Sequence, residues 1–126
     1  MAGKRRTVRI GEVAFGGTHG PALIAGPCVI ESRRRCLNLA GRLVELAAGE
    51  GIPLVFKASY DKANRSSLTS YRGPGLEAGL QILADVRERY GVPVLTDVHA
   101  VEQVGPAAEA VDVLQIPAFL CRQTDL

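Results

Sequence analysis

The chain has 126 residues, enough for one domain with its own core and too few for two. Hydrophobic residues make up 47% and charged residues 22%, which is typical of a globular protein and excludes a disordered chain. The formal net charge of +2 is too small to indicate nucleic acid or an anionic membrane as a partner. Any preference for anions must therefore be local.

The first third of the chain predicts a hairpin, a strand and a helix. Residues 7–15 alternate polar and apolar around Gly11, which indicates two short strands joined as a hairpin. The apolar run Leu23–Ala25 stops at Gly26 and is too short for a helix, so we predict a buried strand. A helix follows from residue 31 to Gly49 or Gly51, because its apolar residues recur on one face.

The same strand-and-helix pattern then repeats. Residues 53–56 predict a buried strand, residues 58–75 a polar loop, and residues 76–90 a helix closed by Gly91. Residues 92–97 and 111–115 predict two more strands. Between them we expect a short helix that Pro106 kinks or splits. Residues 122–126 supply a cap at which a fourth helix would begin, which suggests truncation.

Four strands separated by helices predict a parallel sheet, either a small doubly wound one or part of a (β/α)8 TIM barrel. Polar residues at the carboxyl ends of all four strands favour the barrel, whose active site lies on that rim. These residues are Cys28, Lys57, Asp97 and Gln115. A barrel takes about 250 residues. We therefore expect residues 1–126 to be the N-terminal half of one barrel domain, about four β/α units. Residues 7–15 would form a hairpin cap, and residues 22–126 would run from the first barrel strand to the start of the fourth helix.

The loop after the second buried strand carries the strongest chemical signal. Residues 57–72 contain four cations (Lys57, Lys62, Arg65 and Arg72) and one acid, Asp61, a local net charge of +3. Arginine forks, lysine point charges and neighbouring Ser and Asn donors suit a phosphate or carboxylate ligand. A solvated basic loop remains the alternative at this point.

The cysteines and histidines leave several interpretations open. Three cysteines without a CxxC spacing argue against a disulfide scaffold and favour a reducing cytoplasm. Cys28 could bind a divalent metal, act as a nucleophile, or simply fill a turn. Cys36 is expected in the core. A lone histidine such as His99 is more often structural than catalytic. No apolar run approaches the roughly 18 residues that would cross a membrane.

Five ordered blocks resemble the 3-deoxy-D-manno-octulosonate 8-phosphate synthases, over nearly the whole chain. The block Phe56-Lys57-Ala58-Ser59-Tyr60-Asp61-Lys62-Ala63-Asn64-Arg65-Ser66-Ser67 is the most specific. The others are residues 26–32 (GPCVIES), 70–75 (SYRGPG), 96–99 (TDVH) and 115–126 (QIPAFL, then RQTDL). The resemblance implies a transferase that condenses phosphoenolpyruvate with D-arabinose 5-phosphate and water. Its products are 3-deoxy-D-manno-octulosonate 8-phosphate and inorganic phosphate.

The resemblance also implies residue roles. Lys62 and Asp97 would be catalytic, with Lys62 near the reacting aldehyde. The substrate-binding residues would be Lys57, Ser59, Asn64, Arg65, Ser66, Gln115, Ala118 and Phe119. Arg65 and Ser66 would hold the sugar phosphate and reach into a neighbouring subunit's site.

Cys28 matches the position at which metal-dependent members of that family carry cysteine and metal-independent members carry asparagine. The resemblance therefore implies a divalent metal ion of the Zn, Fe, Mn or Co class. The remaining His, Glu and Asp ligands of the family have no counterpart in this chain. One thiolate cannot hold a divalent ion tightly, so we expect the isolated chain to be inactive.

Two other functions compete with this one. 3-Deoxy-D-arabino-heptulosonate 7-phosphate synthase uses erythrose 4-phosphate, but its second-strand block reads Lys-Pro-Arg-Thr, unlike Lys57-Ala58-Ser59. A non-catalytic, anion-binding half-barrel is the other. The resemblance implies a cytoplasmic homotetramer that feeds lipopolysaccharide synthesis. Its partners would be small-molecule substrates, without nucleic acid or membrane.

Overall fold

A computed structural model describes residues 6–126 of the chain. A β-hairpin comes first, followed by four strands that alternate with three helices and end in a short 3-10 turn. The elements are β1 (Thr7–Ile10), β2 (Val13–Gly16), β3 (Leu23–Ala25), α1 (Arg33–Gly49), β4 (Leu54–Lys57), α2 (Leu76–Tyr90), β5 (Val94–Asp97), α3 (Val101–Ala110), β6 (Val113–Gln115) and the 3-10 turn Ala118–Leu120.

The strands form two separate sheets. β1 and β2 pair antiparallel, which confirms the predicted hairpin. β3, β4, β5 and β6 form one parallel sheet in sequence order, with each strand hydrogen-bonded to the next along the chain. The mixed α/β class and the parallel sheet are therefore confirmed. Because the strands are parallel, all four carboxyl ends lie at the same edge of the sheet.

Local sequence explains where the helices begin and end. α1 starts at Ser32, whose hydroxyl accepts a hydrogen bond from the Arg35 backbone N–H at 3.2 Å. α2 ends at Gly91, which adopts the left-handed conformation that glycine favours after a helix. Arg87 and Arg89 in the last turn of α2 face the negative end of its dipole.

The core divides between the two faces of the sheet. Phe56 and Val94 point to the helices and pack with Cys36, Leu83 and other residues of α1 and α2. Val55 and Leu95 point the opposite way and pack against Val13 of the hairpin. This split follows from the alternation of side chains along a strand. The hairpin therefore covers part of the sheet face that the helices leave open.

One predicted detail is wrong. Leu23 and Ile24 were expected in a buried strand, yet they are 40% and 46% exposed, because β3 is an edge strand with a neighbouring strand on one side only among residues 6–126. Pro106 does not split α3, which is one helix from Val101 to Ala110. Pro106 and Glu102, whose carbonyl loses its usual partner, are both exposed, so water can satisfy that carbonyl. No helix among the described residues is long and apolar enough to span a membrane.

Candidate active site

One cleft of about 670 Å³ lies at the carboxyl ends of the parallel strands. Every strand of the sheet contributes to it, either by its last residue or by the loop that follows. Its lining consists of Cys28, Lys57, Ser59, Asp61, Lys62, Ala63, Asn64, Arg72, Asp97, His99, Gln115, Pro117, Ala118, Phe119 and Leu120. This is the edge at which parallel α/β proteins bind their ligands.

The first wall is formed where β3 and β4 end. Lys57 is the last residue of β4, and its half-buried side chain borders the cleft. Gly26 passes so close that a Cβ on it would lie 1.6 Å from the Lys57 carbonyl oxygen. Only glycine fits there, and it brings Cys28 to the cleft with its thiol free and exposed.

The loop after β4 is held by its own polar groups. The Ser59 hydroxyl donates to the Asp61 carbonyl at 3.0 Å and accepts from the Asp61 backbone N–H at 3.2 Å. Arg72 binds both carboxylate oxygens of Asp61, with both donor–acceptor distances at 2.8 Å. That bidentate contact lowers the pKa of Asp61. The buried Ser59 therefore shapes the loop, and Arg72 already has a partner.

Lys62 and Asn64 follow on the same loop and also border the cleft. The Lys62 backbone N–H donates to the Arg72 carbonyl, which fixes the loop next to the ion pair. Neither Lys57 nor Lys62 forms an ion pair with a described residue. Both ammonium groups are therefore available to an anionic ligand.

The second wall is formed where β5 ends. Asp97 is the last residue of β5, and His99 follows it by two positions, beyond the end of the strand; both border the cleft. His99 Nε2 lies 3.0 Å from Asp97 Oδ2, without the alignment of a hydrogen bond. Asp97 Oδ1 is buried and has no hydrogen-bond partner among the described residues. Such an oxygen is costly unless a ligand or water donates to it.

Tyr60 lies behind these groups and is fully buried. Its ring meets the His99 ring edge-on, with 5.7 Å between the centroids. Burial raises the pKa of Tyr60 to about 12, with smaller contributions from the charges of Asp97 and Asp61. Its hydroxyl therefore stays protonated and donates a hydrogen bond to Gln103 at 2.7 Å.

The third wall is formed by the end of β6 and the 3-10 turn after it. Gln115 is the last residue of β6, and its backbone carbonyl accepts from the Val98 N–H at 3.1 Å. Ala118 and Phe119 lie on the 3-10 turn, which the sequence did not predict. Phe119 is 76% exposed, so its ring is an open edge of the cleft.

The cleft gathers all but two of the residues singled out from the sequence. Arg65 and Ser66 lie farther along the loop and do not border it. The cleft is also bordered by six residues that the sequence did not assign to the site: Asp61, Ala63, Arg72, His99, Pro117 and Leu120. His99 had a readable signal, since it follows the strand-end residue Asp97 by only two positions. The pairing of Asp61 with Arg72 had none, because it depends on how the loop folds back.

The described residues lack a complete set of metal ligands. Among residues 6–126, no three His, Cys, Asp or Glu side chains lie close enough together to hold a metal ion. Cys28, Asp97 and His99 all border the cleft, but they do not form such a group. The described residues alone therefore do not fit a complete metal site.

The fold and the cleft define a class of protein: a parallel α/β chain with a polar cleft at the carboxyl edge of its sheet. Within that class, the profile of the DAHP synthetase I family matches residues 4–126. The chain belongs to this family.

The curated relatives of this chain carry the same name and match it over the same share of its length. Proteins named 2-dehydro-3-deoxyphosphooctonate aldolase are 61% identical in Citrifermentans bemidjiense, 60% in Geobacter metallireducens and 56% in Geobacter sulfurreducens. Each match covers 121 residues, which is 96% of this chain and 44% of the relative. The chain therefore spans less than half the length of the relatives it matches.

Proposed function

We propose that this chain is the N-terminal, substrate-binding part of an enzyme that condenses phosphoenolpyruvate with D-arabinose 5-phosphate. One observation carries the proposal: two unpaired lysines, Lys57 and Lys62, border the same cleft as Asp97 and Gln115, at one edge of a parallel sheet. The relatives that match 96% of the chain are named for the same eight-carbon product. Similarity and site chemistry therefore point to the same reaction.

The reaction requires several anionic groups to be held close together. In the proposed chemistry, carbon 3 of the enol attacks the aldehyde carbon, water adds to carbon 2, and phosphate leaves by C–O cleavage. Two phosphates and one carboxylate must then occupy one site, and their repulsion must be offset by cations. We assign Lys57 and Lys62 to phosphoenolpyruvate, with Lys62 also near the aldehyde.

The polar walls would position the sugar. Asp97 Oδ1, buried without a partner in the described chain, would accept a hydrogen bond from a sugar hydroxyl. Asn64 would contact the sugar hydroxyls, and Gln115 would line the pocket. The Ala118 backbone N–H would face the enol phosphate. Phe119 would cover the substrates, which would reduce its 76% exposure.

Arg65 and Ser66 do not border the cleft, so they would not contact the substrates bound within it. We propose that they bind the sugar phosphate in a neighbouring subunit's site, within a tetramer. Arg65 Nε is buried without a hydrogen-bond partner among the described residues, and the loop residues on either side of Arg65 are exposed. The further proposals are a cytoplasmic location and a single barrel domain, of which residues 22–126 would form the first four β/α units.

A divalent metal ion is part of the proposal for the longer enzyme only. Cys28 would supply one thiolate ligand, and the other ligands would come from outside the described residues. A bound ion would polarise the aldehyde or activate the water. We assign no step to the metal here, because residues 6–126 do not provide a three-donor group.

The experiment that tests the proposal is equilibrium binding to the purified chain by isothermal titration calorimetry. We expect phosphoenolpyruvate to bind, and D-arabinose 5-phosphate to bind more tightly than erythrose 4-phosphate in its presence. The five-carbon sugar presents one more hydroxyl to the acceptors of the cleft, and a site built around a hydroxyl discriminates strongly against its loss.

Erythrose 4-phosphate is the matched control, because it carries the same phosphate and aldehyde. A preference for erythrose 4-phosphate would instead favour the seven-carbon synthase reaction. Absence of phosphoenolpyruvate binding at millimolar concentration would contradict the proposal.

A further inference from the structure

A glutamine outside the cleft connects two of its walls. Gln103 lies in the first turn of α3 and is half buried, but it does not border the cleft. Its side-chain carbonyl oxygen, Oε1, accepts two hydrogen bonds. One comes from the Tyr60 hydroxyl at 2.7 Å and the other from the His99 backbone N–H at 2.9 Å. The donors are 43 and 4 residues away in sequence.

Each bond leads to groups that do border the cleft. Tyr60 directly precedes Asp61 and Lys62 on the loop after β4, and its carbonyl accepts from the Gly75 N–H at 3.2 Å. His99 stands against Asp97, with 3.0 Å between His99 Nε2 and Asp97 Oδ2. One oxygen atom of Gln103 therefore ties the lysine-bearing loop to the wall that carries the buried carboxylate.

The simpler interpretation is a helix cap. Gln103 is the third residue of α3, and a glutamine there often reaches back to a free N–H before the helix. Ala100, the residue that precedes α3, has no side chain able to cap it. The bond to the His99 N–H fits that role. The bond to Tyr60 does not, because Tyr60 belongs to another element and is fully buried.

We propose that Gln103 is a positioning residue, which holds the loop after β4 and the segment after β5 at the separation that the anionic ligand requires. The arrangement of the two walls follows from contacts within the described chain. Only the effect on ligand affinity rests on the proposed function. Among the described residues, Gln103 uses its oxygen and not its amide nitrogen in these bonds. Glutamate at this position would therefore keep both bonds, and methionine, similar in length, would lose them.

The test compares three variants of the whole chain: Gln103→Met, Gln103→Glu and Tyr60→Phe. Amide hydrogen exchange and nuclear Overhauser contacts by NMR report the positions of His99 and Tyr60 without any ligand. Calorimetric titration with phosphoenolpyruvate measures the affinity of the cleft for this ligand. The Val98 N–H, which is bonded to the Gln115 carbonyl and not to Gln103, is the internal control.

In Gln103→Met we expect the His99 amide to exchange about tenfold faster, since a net hydrogen bond is worth about one factor of ten, while Val98 is unchanged. The Tyr60–His99 ring contact should weaken, and phosphoenolpyruvate affinity should fall about three- to tenfold. Gln103→Glu should restore the exchange rate and the ring contact. Tyr60→Phe should leave the His99 exchange rate unchanged and still lower the affinity, which a helix cap alone would not explain.

The proposal is overturned if Gln103→Met leaves the ring contact intact, or if Tyr60→Phe binds phosphoenolpyruvate as the parent chain does. If the parent chain does not bind phosphoenolpyruvate, the proposed function fails. The ring contact and the exchange rates then still decide whether Gln103 holds the two walls together.

Discussion

Two adjacent residues of β4 lie in regions with different environments, one a buried apolar layer and the other an open polar cleft. Phe56 is fully buried in the helix-side layer, by which we mean the apolar side chains between the parallel sheet and α1 and α2. Lys57 is half buried and borders the cleft. The helix-side layer is closed and apolar, whereas the cleft is open and carries uncompensated charge. Stability and ligand binding should therefore depend on different residues, even one position apart.

The largest expected effect tests the helix-side layer. Replacing Phe56 with alanine removes a fully buried aromatic ring and should lower the free energy of unfolding by about 3 to 5 kcal/mol. Urea denaturation followed by circular dichroism measures the change. Lys57→Ala is the control on the same strand, and it should change the free energy of unfolding by no more than about 0.5 kcal/mol. If both variants lowered the free energy of unfolding equally, the distinction between the helix-side layer and the cleft would be wrong.

The next effect concerns the cleft. Lys62→Met should weaken phosphoenolpyruvate binding about ten- to a hundredfold, because a hydrogen bond to a charged group contributes about 1.5 to 3 kcal/mol. The free energy of unfolding should change little. Isothermal titration calorimetry measures the affinity.

Arg42→Met provides the matched control for this variant. Arg42 lines a separate groove beside Arg89 and Tyr90 on the helices, so its loss changes the net charge equally without touching the cleft. If both variants weaken binding to the same extent, the lysines act only through overall charge and the site assignment fails.

The same comparison explains what the sequence could predict. The apolar run before Lys57 and the regular apolar spacing before Gly91 are local patterns, and they predicted β4 and α2 to within two residues. Strand direction then predicted that Lys57, Asp97 and Gln115 share one edge. The exposure of Leu23 and Ile24 depends on which elements cover an edge strand, and no local pattern encodes that.

Other features of the site depend on long-range contacts. The bond from Tyr60 to Gln103 joins residues 43 positions apart, and the Asp61–Arg72 pair requires the loop to fold back on itself. Both pairings are fixed by tertiary packing. The resemblance to a known family supplied the roles proposed for Lys62 and Asn64, which composition alone left open.

A smaller expected effect is the pH dependence of the free energy of unfolding, to which the buried Cys36 contributes and the exposed Cys28 does not. Cys36 is 2% exposed in the helix-side layer, and burial raises the pKa of its thiol from 9.0 to about 11. The folded chain therefore holds that proton to a higher pH than the unfolded chain does. The resulting stabilisation is complete below about pH 9 and is lost as the pH rises toward about 11. Tyr60 adds a similar loss between about pH 10 and 12.

Urea denaturation at several pH values measures this dependence. Cys36→Ala should flatten the decline between about pH 9 and 11, leaving the part due to Tyr60. Cys28→Ala removes the exposed thiol at the cleft and is the matched control, so its profile should follow that of the parent chain. If Cys28→Ala flattens the curve instead, the assignment of the buried thiol is wrong.

The most direct test of the central claim is an NMR titration of the isotope-labelled chain with phosphoenolpyruvate. The account predicts that saturable shifts of the backbone amides concentrate at Lys57, Lys62, Asp97 and Gln115, all of which border the cleft. Amides around Arg42, in the cationic groove on the helices, should remain unchanged. Shifts centred on that groove, or spread over the surface without saturation, would contradict the account.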